Sequence, residues 1–461
     1  MSGPVAEGAS EFAAKLASFV KDNRLAGTVA AVVHGDEMAW SGAAGFADIA
    51  AKRPARPDTL YRIASITKTF TGTAIMRLRD EGKLDLDDPA VQWLPELAGA
   101  GTPREIGRVT IRRLLSHESG LMGDPPGTEW AGTGPHYDGV VSRNLARAAE
   151  IVTAIGPNLQ PKYSNLGYQL LGEIVARASG QDYPAYVREH ILGPLGQADT
   201  SFEPLTEALM ARCATGYTGR AYTDELDVAP TLTGIGAEGG LWSSAEDLAR
   251  WLSLQLSAHG DAPRQSAVLS ADSLREMHKP RYLSDETWTS AWGISWYAVR
   301  KDEVAWVQHS GGLHGFTSNA CFDRDSGVGA IVLVNGIADA PALAMELGAM
   351  ARRLANAAAP ALPVRPPTPE QYRALLGPYL YPGSAELCRI EWRDRKLVLI
   401  SPATADPIEL KPAGEPDSYI VGPGFRDSGE RVCFSRAADG RVASVLIGSG
   451  TLLRLDPVDA G

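Results

Sequence analysis

Apolar side chains recur at helical spacing in EFAAKLASFVKDN (11–23) behind Ser10, which predicts an amphipathic helix with Ser10 as its N-cap. The next stretch, TVAAVVHGDEMAWSGAAGFAD (28–48), holds two apolar runs joined by Gly35-Asp36, the pattern of a β-hairpin. Phe70, Ala74, Ile75 and Leu78 share one helical face after Arg62-Ile63-Ala64-Ser65, and Gly82 closes that helix. From 110 to 260, helical stretches alternate with Gly/Pro-rich loops. TIRRLLSH, NLGYQLLGEIVARAS and SAEDLARWLSLQL are the clear helices. Between 290 and 336, AWGISWYAV, EVAWVQHSG, TSNACFD and GAIVLVN read as strands, followed by a last helix, ALAMELGAMARRLANA.

Strands thus lie at both ends of this region with helices between. The simplest packing is α+β, with one antiparallel sheet built from both ends and flanked by helices. Residues 357–369, AAAPALPVRPPTP, read as a stiff, extended Pro/Ala linker. Beyond it, 370–461 carries short strand-like runs from GPYLY to TLLRLD, spaced by turn residues, which predict a small antiparallel β-barrel or half-barrel. The expected organisation is a first domain 1–356, the linker, and a second domain 370–461.

Length agrees with more than one core, because 461 residues exceed what one ordinary domain holds. With 44% hydrophobic and 21% charged residues, disordered and fibrous classes are excluded. A formal charge of −11 argues against a nucleic-acid partner, since phosphate binding needs a basic surface. Cys213, Cys321, Cys388 and Cys433 lie far apart without a C-x-x-C, so reduced thiols are expected rather than a zinc or redox site. The start, MSGPVAEGASEFAAK, shows neither a basic segment nor an apolar run, and no stretch reaches the roughly 18 apolar residues of a membrane helix. A cytoplasmic protein without membrane contact is expected; a homo-oligomer is an open option. No motif implies a metal or an organic cofactor.

Three short motifs carry chemistry. Ser65 and Lys68 stand three residues apart at a helix start, where a lysine reaches a serine one turn below and unpaired N–H groups face developing negative charge. A serine cap beside a surface lysine reads the same, and a chain of this length contains about one S-x-x-K by chance. Tyr163-Ser164-Asn165 heads a second helix. A phenol beside a lysine can be held partly ionised and take the serine proton, and Asn165 offers a donor and an acceptor. His309-Ser310-Gly311-Gly312 ends a strand, where glycines admit a substrate backbone. The Gly312 N–H can pair with that of Ser65 as an oxyanion hole, and His309 can hold a substrate carboxylate or extend the tyrosine's proton path. His314 reads as loop.

The three motifs, in this order, resemble the serine β-lactamase and penicillin-binding protein family, above all its class C-like branch with esterase and D-amino-acid peptidase members. The resemblance spans about 30–355 and includes TLYRIASITKTFTGTAIMRLRDEGKLDLDDP, VTIRRLLSHESGL, YSNLGYQLLGEIVARASG, ILGPLGQADTSF and GAEGGLWSSAEDLARWL. The terminal strands look like the lipocalin-like domain appended to some of its peptidases.

The resemblance implies an acyl-enzyme on Ser65, a base role shared by Lys68 and Tyr163, orientation by Asn165, and an oxyanion site of the Ser65 and Gly312 N–H groups with Gly311 alongside. Where class C β-lactamases carry Lys-Thr-Gly, this chain has His309-Ser310-Gly311, and only a partly charged histidine stands for the lysine. That lowers the expectation of β-lactam hydrolysis and leans toward a peptidase or amidase acting on a peptide or small-molecule substrate. A carboxylesterase or lactonase with the same nucleophile is the alternative, and a non-catalytic binding protein a third. Trp130, His136, Tyr137, Tyr217 and Tyr222 are candidates to line the pocket.

Overall fold

The computed structural model describes residues 4–99, 103–126, 145–154, 161–219, 225–229, 235–259, 266–284, 289–302, 304–358, 369–381, 386–393, 396–400, 407–422, 429–447 and 450–455. The chain divides into two compact units, Met1–Ala358 and Ala359–Gly461. Most of the expected linker lies outside the described residues.

The first unit is built on a nine-stranded sheet. Its strands are β1 (Gly27–His34), β2 (Glu37–Asp48), β3 (Arg53–Pro54), β4 (Tyr282–Leu283), β5 (Ser290–Trp292), β6 (Tyr297–Lys301), β7 (Val304–Leu313), β8 (Phe316–Asp323) and β9 (Val328–Val334). They run β3-β2-β1-β9-β8-β7-β6-β5-β4, every pair antiparallel, and the join between the two ends of the sequence is β1 on β9, with Thr28 opposite Val334 and His34 opposite Val328. Alternation along the central strands sends side chains to two cores. Val29, Ala31, Val33, Ile331 and Leu333 face the larger core. On that side lie α2 (Thr67–Asp80), α3 (Asn165–Ser179) and α4 (Ala245–Ser257). Ala30, Val32, Val332 and Val334 face the smaller core, with Phe12 and Leu16 of α1 (Ala9–Asp22) and Leu343 and Leu347 of α5 (Ala340–Ala358). Both faces are therefore covered by helices.

Two local expectations are corrected. The N-cap of α1 is Gly8, not Ser10, because a 3-10 turn over Pro4–Gly8 runs straight into the helix and leaves no extended residue for a side-chain cap. AWGISWYAV is not one strand. Ser295 takes a left-handed φ of +61°, and the Gly293 N–H donates to the Trp296 carbonyl at 2.7 Å. The chain turns there, pairs Tyr297 with Trp292, and sends Ile294 and Trp296 into the core.

The second unit is a closed barrel of eight antiparallel strands, β10 (Gly377–Tyr381), β11 (Glu386–Arg393), β12 (Lys396–Ile400), β13 (Ile408–Pro412), β14 (Ser418–Val421), β15 (Arg431–Arg436), β16 (Val442–Ile447) and β17 (Gly450–Arg454). Pairing of β10 with β17 removes the open edges. Tyr379, Leu397, Leu410, Val432 and Val445 fill its interior. None of the four cysteines is in a disulfide, and Cys321 and Cys388 are buried. Among the described residues, no helix is long and apolar enough to cross a membrane.

One partly buried histidine pair in the first unit links stability to pH. His278 Nε2–H donates to Gln255 Oε1 at 2.9 Å, so its Nδ1 takes the proton of His259 Nε2 at 2.9 Å. Burial, with Arg324 and Arg275 nearby, pulls His259 down to about 4, and burial holds His278 well below its usual range. Both folded values lie below the unfolded one, so this stabilisation is present above about pH 6.5 and is lost as pH falls toward 4. In thermal melts at pH 7, 5.5 and 4.5, His259→Gln should lower Tm at pH 7, with the gap to the parent closing on acidification. A gap independent of pH would contradict this account.

Candidate active site

Ser65 sits in a 3-10 turn, Ala64–Ile66, that leads into α2 rather than in the helix proper. Ala64 holds a left-handed φ of +46°, a conformation of order 1–3 kcal/mol unfavourable for a residue with a side chain. Neighbours enforce it. The Ile63 N–H donates to the Leu241 carbonyl at 3.1 Å, and Ser318 Oγ–H donates to the Ile63 carbonyl at 2.9 Å. The turn is thereby clamped between a Gly-rich segment and β8.

Lys68 is wholly buried on the first turn of α2. Its Nζ lies 3.0 Å from Ser65 Oγ, 2.8 Å from Asn165 Oδ1 and 2.6 Å from the Glu238 carbonyl oxygen. The last two atoms only accept. A neutral amine has two N–H groups and one lone pair, so the lone pair is left for the Ser65 hydroxyl. Burial lowers Lys68 to about 7, against the opposing pull of Glu238 and Asp124. Burial raises Glu238 in turn, while Gln169 Nε2 at 2.8 Å and the Gly236 N–H at 3.2 Å hold its carboxylate.

α3 supplies the second group. Ser164 caps it through Oγ, which accepts the Gly167 N–H at 3.0 Å, so Tyr163 precedes the cap and Asn165 opens the helix. Asn165 Nδ2 donates to Asp124 Oδ1 at 2.8 Å, which fixes the amide with its oxygen toward Lys68. The Tyr163 hydroxyl faces Ser65, whose hydroxyl works against the effect of burial on the phenol, and the Lys68 Nζ lies 4.9 Å from the Tyr163 ring centre. The residue as a whole is 38% exposed, but its hydroxyl is crowded, and burial raises the phenol above its ordinary value. The expected partly ionised phenol is therefore corrected to a neutral one.

β7 forms the third wall. β6 pairs with it only as far as Gln308, so among the described residues the edge from His309 to Leu313 has β8 as its one strand neighbour. A Cβ on Gly311 would stand 2.2 Å from the Ile63 carbonyl oxygen, so this glycine lets β7 press against the turn that carries Ser65. A Cβ on Gly312 would meet nothing within 4 Å, and Gly312 lines a pocket with Ser65, Asp124, Asn165 and Glu238. His309 is buried, with Nδ1–H donating to the Ser310 carbonyl at 2.7 Å. Burial and nearby Lys68 pull it down to about 3. It is an uncharged ring, not the partly charged carboxylate anchor expected from its place. A larger hollow, lined by Met38, Leu195 and Arg250, holds none of these groups.

Ser65, Lys68 and Asn165 are thus joined by hydrogen bonds, with the Tyr163 ring over Lys68, Gly311 and Gly312 beside them and His309 on the same strand. Tyr217 lies elsewhere, its hydroxyl accepting the Ile49 N–H at 2.8 Å, and His314 occupies the turn between β7 and β8. Trp130, His136, Tyr137 and Tyr222 fall outside the described residues. Asp124, His117, Gln169 and Glu238 were not foreseen. Their one signal was a polar residue set among glycines or apolar residues, as in GAEGGLW and SHESGL. Among the described residues, no group of three or more His, Cys, Asp or Glu is placed to hold a metal.

Residues 12–354 match the family model described as Beta-lactamase, and the chain belongs to that family. It is 33% identical over 287 residues to penicillin-binding protein 4 of Amycolatopsis lactamdurans, covering 60% of this chain and 73% of that one. Against esterase EstB of Burkholderia gladioli it is 36% identical over 197 residues, covering 40% of this chain and 48% of that one. The octameric penicillin-binding protein homologue from Pyrococcus abyssi shares its fold, with a TM-score of 0.64 at 22% identity over 96% of this chain and 99% of that one. A D-stereospecific amidohydrolase from Streptomyces sp. gives a TM-score of 0.59 at 25% identity, covering 74% of this chain and 98% of that one. Members of this fold family include penicillin-binding proteins, esterases and amidohydrolases.

The two glycines should separate on mutation. Gly311→Ala drives a methyl group into backbone and should cost roughly 3 kcal/mol, read as a lower Tm together with lost turnover. Gly312→Ala should leave Tm within about 2 °C while cutting kcat/KM at least tenfold, because its methyl group enters only the pocket. Equal Tm losses in the two variants would show that the strand edge was misassigned.

Proposed function

We propose that this chain is a serine hydrolase that cleaves amide bonds through an acyl-enzyme on Ser65. One observation carries the reading: a fully buried lysine amine, lowered to about 7, with its lone-pair direction left for the Ser65 hydroxyl 3.0 Å away. Neutral Lys68 takes the Ser65 proton as Oγ attacks the carbonyl carbon. The N–H groups of Ser65 and Gly312 receive the oxyanion. As the C–N bond breaks, Tyr163, a neutral phenol, gives its proton to the leaving nitrogen and takes the proton that Lys68 received from Ser65, which returns Lys68 to its neutral form. Water then attacks the ester carbonyl of the acyl-enzyme, losing a proton to the Lys68–Tyr163 unit, which passes it to Ser65 Oγ as the acyl C–O bond breaks. Asn165 orients Lys68. Uncharged His309 shapes the wall and offers its ring nitrogen as an acceptor.

The Streptomyces amidohydrolase supports the amide reading, and a D-amino-acid amide is the first substrate to try. The identity to esterase EstB supports the same nucleophile working on carboxylic esters, the second reading.

The test compares D- and L-alanine p-nitroanilide with p-nitrophenyl butyrate, using Ser65→Ala as control. Ser65-dependent amide turnover is expected, and Ser65→Ala should lose roughly three orders of magnitude or more. Ester turnover without amide cleavage would move the assignment to an esterase, and an unlabelled Ser65 after a fluorophosphonate probe would return it to a binding protein. The working form of Lys68 is the neutral one, so kcat/KM should rise with pH up to about 7 and level off above it. Lys68→Arg, which stays charged, should be inactive throughout. A flat profile between pH 5.5 and 8 would rule out Lys68 as the base.

A further inference from the structure

The geometry points to a positioning residue outside the set just described: we infer that His117 holds the Tyr163 hydroxyl in its place against Ser65 and sets the rate of proton transfer through it. The inference rests on the serine-hydrolase reading above.

Tyr163 lies before the cap of α3, so the helix does not restrain it. His117 does so from three sides. Its carbonyl oxygen accepts the Lys162 N–H at 2.7 Å, and its Nδ1 accepts the Ser164 N–H at 3.2 Å. Its ring packs on the Tyr163 ring with centres 4.3 Å apart and planes inclined by 32°. One buried residue thus grips the backbone on both sides of the tyrosine and the tyrosine ring itself.

His117 is fixed in turn. Its ring lies 5.2 Å from that of Tyr168, whose hydroxyl donates to the Leu115 carbonyl at 2.7 Å, and it meets Trp292 edge-on at 4.5 Å.

Two costs mark the position. His117 adopts a left-handed φ of +60°, and its Nε2, which must carry the ring proton because Nδ1 accepts, has no hydrogen-bond partner among the described residues. Strain and an unsatisfied polar atom persist where the surroundings over-determine them, typically at functional sites. Burial and nearby Lys68 keep the ring neutral, which preserves Nδ1 as an acceptor. Proton transfer depends steeply on donor–acceptor geometry, so a tyrosine free to shift loses rate rather than affinity.

The test is a double-mutant cycle on the full chain. His117→Phe keeps a ring but removes the acceptor. His117→Asn places Oδ1 near the Nδ1 position and tolerates the left-handed backbone. His117→Phe should lower kcat roughly 30-fold with KM nearly unchanged, and His117→Asn should recover most of the loss. In a Tyr163→Phe background, His117→Phe should bring no further loss, measured as turnover and as the rate of fluorophosphonate labelling.

Equal losses in both backgrounds, unchanged kcat in His117→Phe, or failure of His117→Asn to recover activity would each overturn the inference. Should His117→Phe not fold, His117→Gln carries the same comparison, since its amide reaches toward the Nε2 side and leaves the Ser164 N–H unmet. Loss of turnover in Ser65→Ala together with additive His117 effects would overturn this inference alone. Retained turnover in Ser65→Ala would overturn the hydrolase reading beneath it.

Discussion

The site depends on a lysine amine placed where water does not reach. An isolated ammonium in such a place costs several kcal/mol even after relaxation, so the cheapest state has a weakly held proton. Lys68 meets that condition with three oxygen neighbours drawn from three separate elements: the turn before α2, the start of α3 and the Gly236–Gly240 segment. Asp124 and Glu238 keep the amine from being neutralised outright, acting against burial. The balance sets Lys68 near the pH at which it both takes and returns a proton. Glu238 itself is buried and raised, so its counter-charge is weaker than its formula suggests.

The rest of the fold holds this balance in place. β1 and β9 join the two ends of the first unit into one sheet, and β8 and β7 bring Ser318 and Gly311 against Ile63. Ala64, His117 and Ser295 hold left-handed backbone conformations: Ala64 adjoins Ser65, His117 packs on Tyr163, and Ser295 is bonded to Tyr168 beside them. Each is held by long-range bonds. The Ser295 N–H reaches the Leu115 carbonyl at 3.1 Å, and Tyr168 ties Leu115 to Ser295 through its hydroxyl at 2.7 and 2.8 Å. A sheet covered on both faces supplies the rigidity for such strain to persist.

Much of this was legible because it is local. Helix 165–179 announces itself through a serine cap and a continuous apolar face, and each barrel strand through its alternation and bounding turns. The three chemical motifs are short and ordered, so Ser65, Lys68, Tyr163 and Asn165 could be named from the chain alone. Asp124, His117 and Glu238 could not. Their importance comes from convergence: Glu238 stands 170 positions from the lysine it meets, and His117 stands 47 from the amide it holds. The AWGISWYAV run misled for the same reason. Its apolar residues satisfy a strand pattern, but Ile294 and Trp296 turn into the helical core, and no local rule shows that. The charges of Tyr163 and His309 were misjudged because burial, invisible in sequence, disfavours the ionised form of each, and at His309 the neighbouring Lys68 acts in the same direction.

His309 shows why that outcome is coherent. A permanently charged lysine at this place would put a second buried cation beside Lys68 and push the proton off both. A neutral imidazole avoids that conflict, and the lowering of Lys68 then rests on its own burial against Asp124 and Glu238. What is given up is a fixed positive charge for a substrate carboxylate. What remains at the wall is the β7 edge from His309 to Leu313, the opening over Gly312, and the side chain of Asp124. On the serine-hydrolase reading proposed above, such a wall would suit an extended, uncharged or amine-bearing acyl group better than an anionic one. On that reading, a neutral ring on this strand leaves the proton affinity of Lys68 independent of substrate charge, and a single fold can turn one serine toward different carbonyl compounds.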